Sequence, residues 1–167
     1  MIYLELIVRT EPILGDGTTP DYGGQIEIES FDWKMSAKHI YEGDDFIRTE
    51  MHPKCISFNK LVDPATPNLC KYMDERAQFS KATITMLTMA WIGKGSSHQR
   101  VMQLTLSDGY IEDLSIQASE SGKAVGLKEK ITLSYAKSTL LYFPFDAVRR
   151  ARGNMTTKFE LLAKASR

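Results

Sequence analysis

Residues 51–69, MHPKCISFNKLVDPATPNL, carry a strand, a turn and the start of a helix in one short run. Ile56 and Phe58 alternate with Cys55, Ser57 and Asn59, the period of a strand with one buried face. Lys60 to Pro64 ends that strand, because proline cannot donate to a ladder and Asp63 before it favours a turn. Thr66 is placed to cap a helix over about 66–78, and Pro67 falls in the first turn, where a missing N–H costs nothing. Leu69, Tyr72, Met73, Arg76 and Ala77 share one side of that helix, while Lys71, Asp74, Glu75 and Gln78 share the other. The apolar side needs a sheet to lie on.

Strand patterns run outward from this stretch in both directions. Ile2, Leu4, Leu6 and Val8 alternate with Tyr3, Glu5 and Arg9, and the Gly-, Pro- and Asp-rich segment from Thr10 to Gly24 reads as loop. A second strand, Gln25 to Trp33, shifts register at Ser30, as a bulge or strong twist would. Lys34 to Thr49 is too long for a tight hairpin and too polar for a core strand, so it reads as an extended loop. Its Met35, Ile40, Tyr41, Phe46 and Ile47 either tuck back onto their own domain or dock on another subunit. Downstream, Lys81 to Asp146 reads as a meander of strands. Leu87, Met89, Trp91 and Ile92 belong to one that is apolar on both faces and so expected to be covered on both. Asp108-Gly109 is the strongest short hairpin signal, Ser119 to Gly126 turns again, and Met155 to Leu162 is a candidate last strand within the tail 147–167. The spacing is that of a mainly β, single-domain sandwich or barrel over 1–167 with one flanking helix.

Composition bounds the function classes. The 167 residues hold 21 Lys+Arg against 21 Asp+Glu, so no bulk charge argues for nucleic acid or membrane binding. The balance hides an asymmetry: residues 1–80 carry 8 basic and 14 acidic side chains and residues 81–167 carry 13 and 7, which is either a solvated surface or opposed faces that attract copies of the chain. Arg149, Arg150 and Arg152 make a poor nucleic-acid footprint. The N-terminal run MIYLELIVR contains Glu5 and lacks a basic lead-in, unlike a cleaved signal peptide, and no stretch approaches the ~20 apolar residues of a membrane-spanning helix. Two cysteines, Cys55 and Cys70, give no disulfide framework, which fits folding in a reducing cytoplasm.

Catalytic motifs are missing. Ser96 and Ser97 precede His98 without a Gly-x-Ser-x-Gly elbow. Gly93-Lys94-Gly95 lacks the third glycine of a dinucleotide loop, since His98 stands there, and Ser121-Gly122-Lys123 lacks the earlier glycine and the hydroxyl of a phosphate loop, since Gln117 and Ala124 stand there. His52 and Cys55, with Cys70 and His39, have acceptable spacing for a first zinc pair, but no second close pair follows; buried thiols and a hydrogen-bonded histidine are the plainer alternative. Asp44-Asp45 and Glu112-Asp113 read as solvated pairs. No catalytic residue, metal or cofactor is expected.

The order of features nevertheless forms a pattern. Gly23-Gly24 precedes an Ile-rich strand ending at Trp33. A long segment follows, then Arg48, Met51-His52, Phe58 with Lys60, Asp63 with Ala65-Thr66-Pro67 and Leu69, Leu106 to Ile111, Glu129 to Tyr135, and Gly153-Asn154 before Phe159-Glu160-Leu161. This resembles the haemolysin-coregulated protein (Hcp) family, the tube protein of type VI secretion systems, over nearly the whole chain. The resemblance implies a β-barrel of two packed sheets with one flanking helix, assembled as a homo-hexameric ring whose copies stack into a tube. Such a tube is not an enzyme; it is driven out by a contractile sheath with a spike protein at its tip, carries small effectors, and leaves the cytoplasm without a cleaved signal. It further implies that the 34–49 loop, with Met35, Ile40, Tyr41, Phe46, Ile47 and Arg48, reaches a neighbouring ring, and that the strand holding Leu87, Met89, Trp91 and Ile92 contributes to contacts within a ring. A ring-shaped carrier of secreted effectors that never stacks is the alternative. The chain departs from the family's commonest form in the loop residues and at Leu140-Leu141-Tyr142, where a Trp-containing pattern is frequent.

Overall fold

The computed structural model describes residues 1–92, 95–121, 124–144 and 155–157. In chain order its elements are β1 (Ile2–Val8), β2 (Glu11–Pro12), β3 (Ile26–Ile28), β4 (Ser30–Glu42), β5 (Asp45–Leu61), α1 (Thr66–Asp74), β6 (Phe79–Ile92), β7 (Gly95–Ser121), β8 (Ala124–Ser134), β9 (Lys137–Tyr142) and β10 (Met155–Thr157). All strand pairs are antiparallel. The fold is mainly β, with one helix among the described residues. No helix among the described residues is long and apolar enough to cross a membrane.

The ladder runs β2-β1-β6-β7-β8-β5-β4, with β3 on β1, β9 on β7 and β10 on β9. It ends on β4 and does not close into a barrel. Two sheets instead share strands at two corners. The first corner is on β7. Up to Gly109 this strand pairs with β6, with β9 also flanking it at Met102–Ser107, and from Tyr110 onward it pairs with β8. The second corner is at Glu29. Here β3, on β1, gives way to β4, on β5, and the Glu29 N–H donates to the Asn59 carbonyl at 2.8 Å. The register shift expected at Ser30 is this change of sheet.

Asp108-Gly109 is therefore not a hairpin turn, and Tyr110 to Ala118 does not fold back on the strand before it. Asp108 does adopt the left-handed conformation that makes Asp-Gly a turn signal, with φ of 57°. The distortion bends one strand from sheet to sheet. A glycine is needed because a Cβ at 109 would run into the Ser134 carbonyl and the Phe79 ring. The sequence signal marks a special backbone, and tertiary packing decides which one.

Between the sheets lie the residues that the alternation points inward: Leu4, Leu6 and Val8 of β1, Ile26 and Ile28 of β3, Ile56 and Phe58 of β5, Ala82 and Ile84 of β6, Leu104 and Leu106 of β7, and Ile131 and Leu133 of β8. Helix α1 adds Leu69, fully buried, with Tyr72, Met73 and Ala77 partly buried against the same core. Burial of a side chain of this size stabilises the fold by roughly 1.5–3 kcal/mol. The helix is shorter than the expected 66–78, because Arg76 turns left-handed at φ 50° and the Ala77 N–H bonds back to Tyr72 O at 2.9 Å. Ala65, not Thr66, holds the N-cap position, and Asp63 Oδ1 accepts the Ala65 N–H at 2.9 Å. The Thr66 hydroxyl is used elsewhere.

Three hairpins outrun the sheets. β4–β5 continues to Glu42/Asp45, although β8 flanks β5 only over Ile56–Leu61. β6–β7 continues to Ile92/Gly95 beyond the pairing of β1 with β6 at Met86. β7–β8 continues to Ser121/Ala124 beyond the Leu61 end of β5, which pairs with Lys128. Of the expected last strand, Met155–Thr157 pairs with Leu140–Tyr142; residues 158–162 and the Arg149, Arg150 and Arg152 cluster lie outside the described residues.

Candidate functional site

The segment 34–49 is not a loop. It is most of a two-stranded arm in which β4 and β5 pair from Ser30/Asn59 to Glu42/Asp45, closed by the two-residue turn Gly43-Asp44. Gly43 has φ 63°, as a type II′ hairpin requires at its first central position. From Trp33 to Glu42 the arm extends about 30 Å. Strand alternation is hard to see in this stretch for a physical reason: neither face is pressed on a core, so neither needs to be uniformly apolar.

The arm's apolar side chains face solvent. Tyr41, Phe46 and Ile47 are 59%, 56% and 49% exposed; Met35 is also exposed and Ile40 half-buried. Tyr41 and Phe46 are cross-strand partners whose rings meet edge-on at 5.8 Å, with His39 at 6.2 Å from Phe46. His39 Nδ1 and Thr49 Oγ1 lie 2.9 Å apart across the same pair of strands. Each such cross-strand pair contributes about 0.2–1 kcal/mol. Those pairs hold a two-stranded ribbon that is otherwise marginal in water. Arg48 sits opposite Ile40.

Leu87, Met89, Trp91 and Ile92 fall on the β6–β7 hairpin. Leu87 is buried, and its backbone pairs with the N-terminus: its N–H donates to Met1 O at 2.9 Å and the Met1 ammonium donates to its carbonyl at 3.2 Å. Met89, opposite His98, is exposed, so at this position the strand is not covered on both faces within one chain. Trp91 and Ile92 continue the ladder opposite Ser96 and Gly95. The zinc candidates are not drawn into a cluster among the described residues: Cys55 and Cys70 are exposed thiols on β5 and α1.

At the far end of β5 lies an arrangement that periodicity alone does not reveal. Lys60 is fully buried, with Nζ 2.6 Å from Asp63 Oδ1 and 2.7 Å from Glu129 Oε1. It also donates to Leu61 O at 2.8 Å and to Thr66 Oγ1 at 3.3 Å. Thr66 in turn donates to Glu129 Oε2 at 2.9 Å and accepts the Asp63 N–H at 3.2 Å. Lys60, Asp63, Thr66 and Glu129 thus tie β5, the turn after it, α1 and β8 into one dry network. Removing one partner of such a pair is far costlier than removing all of them, because a lone buried charge remains. At the opposite corner Trp33 Nε1 donates to the Tyr135 hydroxyl at 2.7 Å, anchoring the arm's base to the end of β8. Lys60, Asp63, Thr66, Glu129, Trp33 and Tyr135 all stand in the ordered pattern of residues noted in the sequence. Their spacing in the chain says nothing of their meeting in space.

The family described as "Type VI secretion system effector, Hcp" matches residues 3–142. Among solved structures, a type six secretion system protein is similar at 16% identity and TM-score 0.75, over 92% of this chain and 90% of that one. Hcp1 from Salmonella typhimurium is similar at 17% identity and TM-score 0.67, over 96% and 95%. A chain in the anti-feeding prophage baseplate is similar at 12% identity and TM-score 0.54, over 84% and 92%. The search of curated proteins gave no match. A sandwich whose two sheets share a bent strand, a single short helix, a projecting arm and a family match over most of the chain lead to one assignment: the protein belongs to the Hcp family of type VI secretion.

Proposed function

We propose that this protein is a structural subunit of the type VI secretion tube, forming hexameric rings that stack through the β4–β5 arm and are expelled with a spike and effectors. The observation that carries the reading is the arm: a ribbon of about 30 Å with Tyr41, Phe46 and Ile47 exposed, its two strands paired to each other beyond the end of the sheet. A large aromatic pair held in solvent at the end of a two-stranded projection has the form of an anchor for another surface. Contacts within a ring would use the uncovered Met89 and its neighbours Leu87, Trp91 and Ile92. A head-to-tail contact that does not close gives an open filament, which is what a tube of stacked rings needs.

Electron microscopy of the purified protein should show rings and stacks of rings. Ile40→Ser with Tyr41→Ser and Phe46→Ser should leave rings and abolish stacks; stacks as long as those of the parent protein would remove the arm from this role. Rings that never stack in the parent would favour a carrier for secreted effectors instead.

A further inference from the structure

The arm needs a seat, and the sheet that carries it restricts where the seat can be. β5 and β8 are antiparallel and pair over Ile56–Leu61 with Lys128–Leu133. The arm leaves this sheet at the Ile56/Leu133 end. The β7–β8 hairpin leaves it at the other end, beyond Leu61/Lys128. Two hairpins therefore project from opposite poles of one sheet.

The face that β7–β8 presents is apolar where it should be polar. Ile116 is the cross-strand partner of Glu129, and Ala118 that of Leu127, so Ile116, Ala118 and Leu127 share the side on which Glu129 and Ile131 are buried. This is the core side of the sheet carried past the end of the core. Ile116 is 49% exposed and Leu127 42% exposed. Val62, half-buried, is tied to this edge by its N–H to Leu127 O at 3.1 Å. Resting on the reading that the arm stacks rings, we infer that the Ile116–Leu127 face is the seat for the arm tip of a second copy of this chain, receiving Tyr41, Phe46 and Ile47.

One chain cannot fill its own seat. Phe46 and Leu61 lie at opposite ends of the single strand β5, roughly 50 Å apart along extended backbone, and the arm points away from the seat. A tip at one pole and a seat at the other define a head-to-tail contact, in which each copy gives and receives once. The chemistry also matches. Aromatic side chains pair favourably with β-branched ones such as isoleucine, and Ile116, Ala118 and Leu127 form an apolar surface that gives way to Glu120 only at the next position along the same face.

Site-directed cross-linking tests this in the full-length protein. In a background with both exposed cysteines removed (Cys55→Ser, Cys70→Ser), Phe46→Cys combined with Leu127→Cys should give, on mild oxidation, a disulfide-linked ladder of subunits on a non-reducing gel. Phe46→Cys combined with Leu61→Cys is the control. Leu61 is exposed at the same pole but is paired with Lys128, on the opposite face, and it should give no ladder. In parallel, Ile116→Asp with Leu127→Asp should abolish stacks and leave rings. If stacks persist in that variant, or if the 46/61 pair links and the 46/127 pair does not, the seat lies elsewhere while the arm keeps its role. If the serine-substituted arm still stacks, the arm itself fails and the seat with it.

Discussion

Lys60→Met isolates the energetics of the buried network. The substitution keeps a long unbranched side chain in a fully buried position and deletes its ammonium group. Asp63 and Glu129, 2.6 and 2.7 Å from Nζ, are then left without a cation. Breaking a buried pair from one side costs about 3–5 kcal/mol. The Leu61 carbonyl, which accepts from Nζ at 2.8 Å, loses its donor and adds about 1 kcal/mol more. Against a total stability of about 5–15 kcal/mol this is a large share. With a urea slope of about 2 kcal/mol/M the midpoint should fall by roughly 2–3 M, followed by far-UV circular dichroism or by tryptophan fluorescence. The triple variant Lys60→Met, Asp63→Asn, Glu129→Leu leaves no buried charge and should recover most of the loss, whether or not the single variant folds. A single substitution costing under about 1 kcal/mol, or a triple variant no more stable than the single, would refute the view that these charges are dry and mutually dependent.

Gly109→Ala should cost more than about 3 kcal/mol or prevent folding, since its Cβ meets backbone at Ser134 and the Phe79 ring; a shift in Tm of only a few degrees would restore the surface-turn reading. Burial pushes the Tyr135 hydroxyl above the usual tyrosine value of 10.0; the hydrogen bond donated by Trp33 pulls the other way, and Cys55 adds a smaller push upward. Its share of stability is complete below about pH 10 and is lost as pH rises through the raised folded value; urea melts across that range should show the alkaline loss in the parent protein and a flatter profile in Tyr135→Phe. Leu69→Ala should destabilise by about 2–5 kcal/mol in thermal melts, because the helix reaches the core chiefly through that side chain. Tyr41→Ser with Phe46→Ser should change the unfolding free energy of dispersed subunits, read from urea melts, by no more than about 1 kcal/mol, both side chains being exposed.

The elements that press one face on the core were legible in the chain. β1, with its strict alternation from Ile2 to Val8, and β5 from Ile56 to Leu61 are where period two places them. The arm was not legible as strand, because a ribbon wet on both faces has no buried side to write into its sequence. Asp108-Gly109 misled for another reason. The dipeptide encodes a positive φ, and whether that becomes a turn or a bend depends on Phe79 and Ser134, remote in the chain. The ordered pattern shared with the Hcp family included Lys60, Asp63, Thr66 and Glu129, yet only the fold brings Glu129 back beside Lys60 across sixty-nine positions. The apolar run through Leu87 and Met89 divides: Leu87 is buried within the chain, and Met89 is exposed.

The sharing of β7 between the sheets also bears on how the subunit comes apart. Twenty-seven residues of one strand form ladders with β6 and β9 on one side of Gly109 and with β8 on the other. Neither sheet can open without disturbing a strand that the other uses. Amide hydrogens flanking the bend, at Leu104, Leu106, Ile111 and Leu114, should then exchange in a single slow class governed by global unfolding, while those near Tyr41 and Phe46 exchange through local fraying. The subunit would thus behave as one cooperative block bearing a loosely held ribbon, able to adapt its tip to a neighbour without loosening its body.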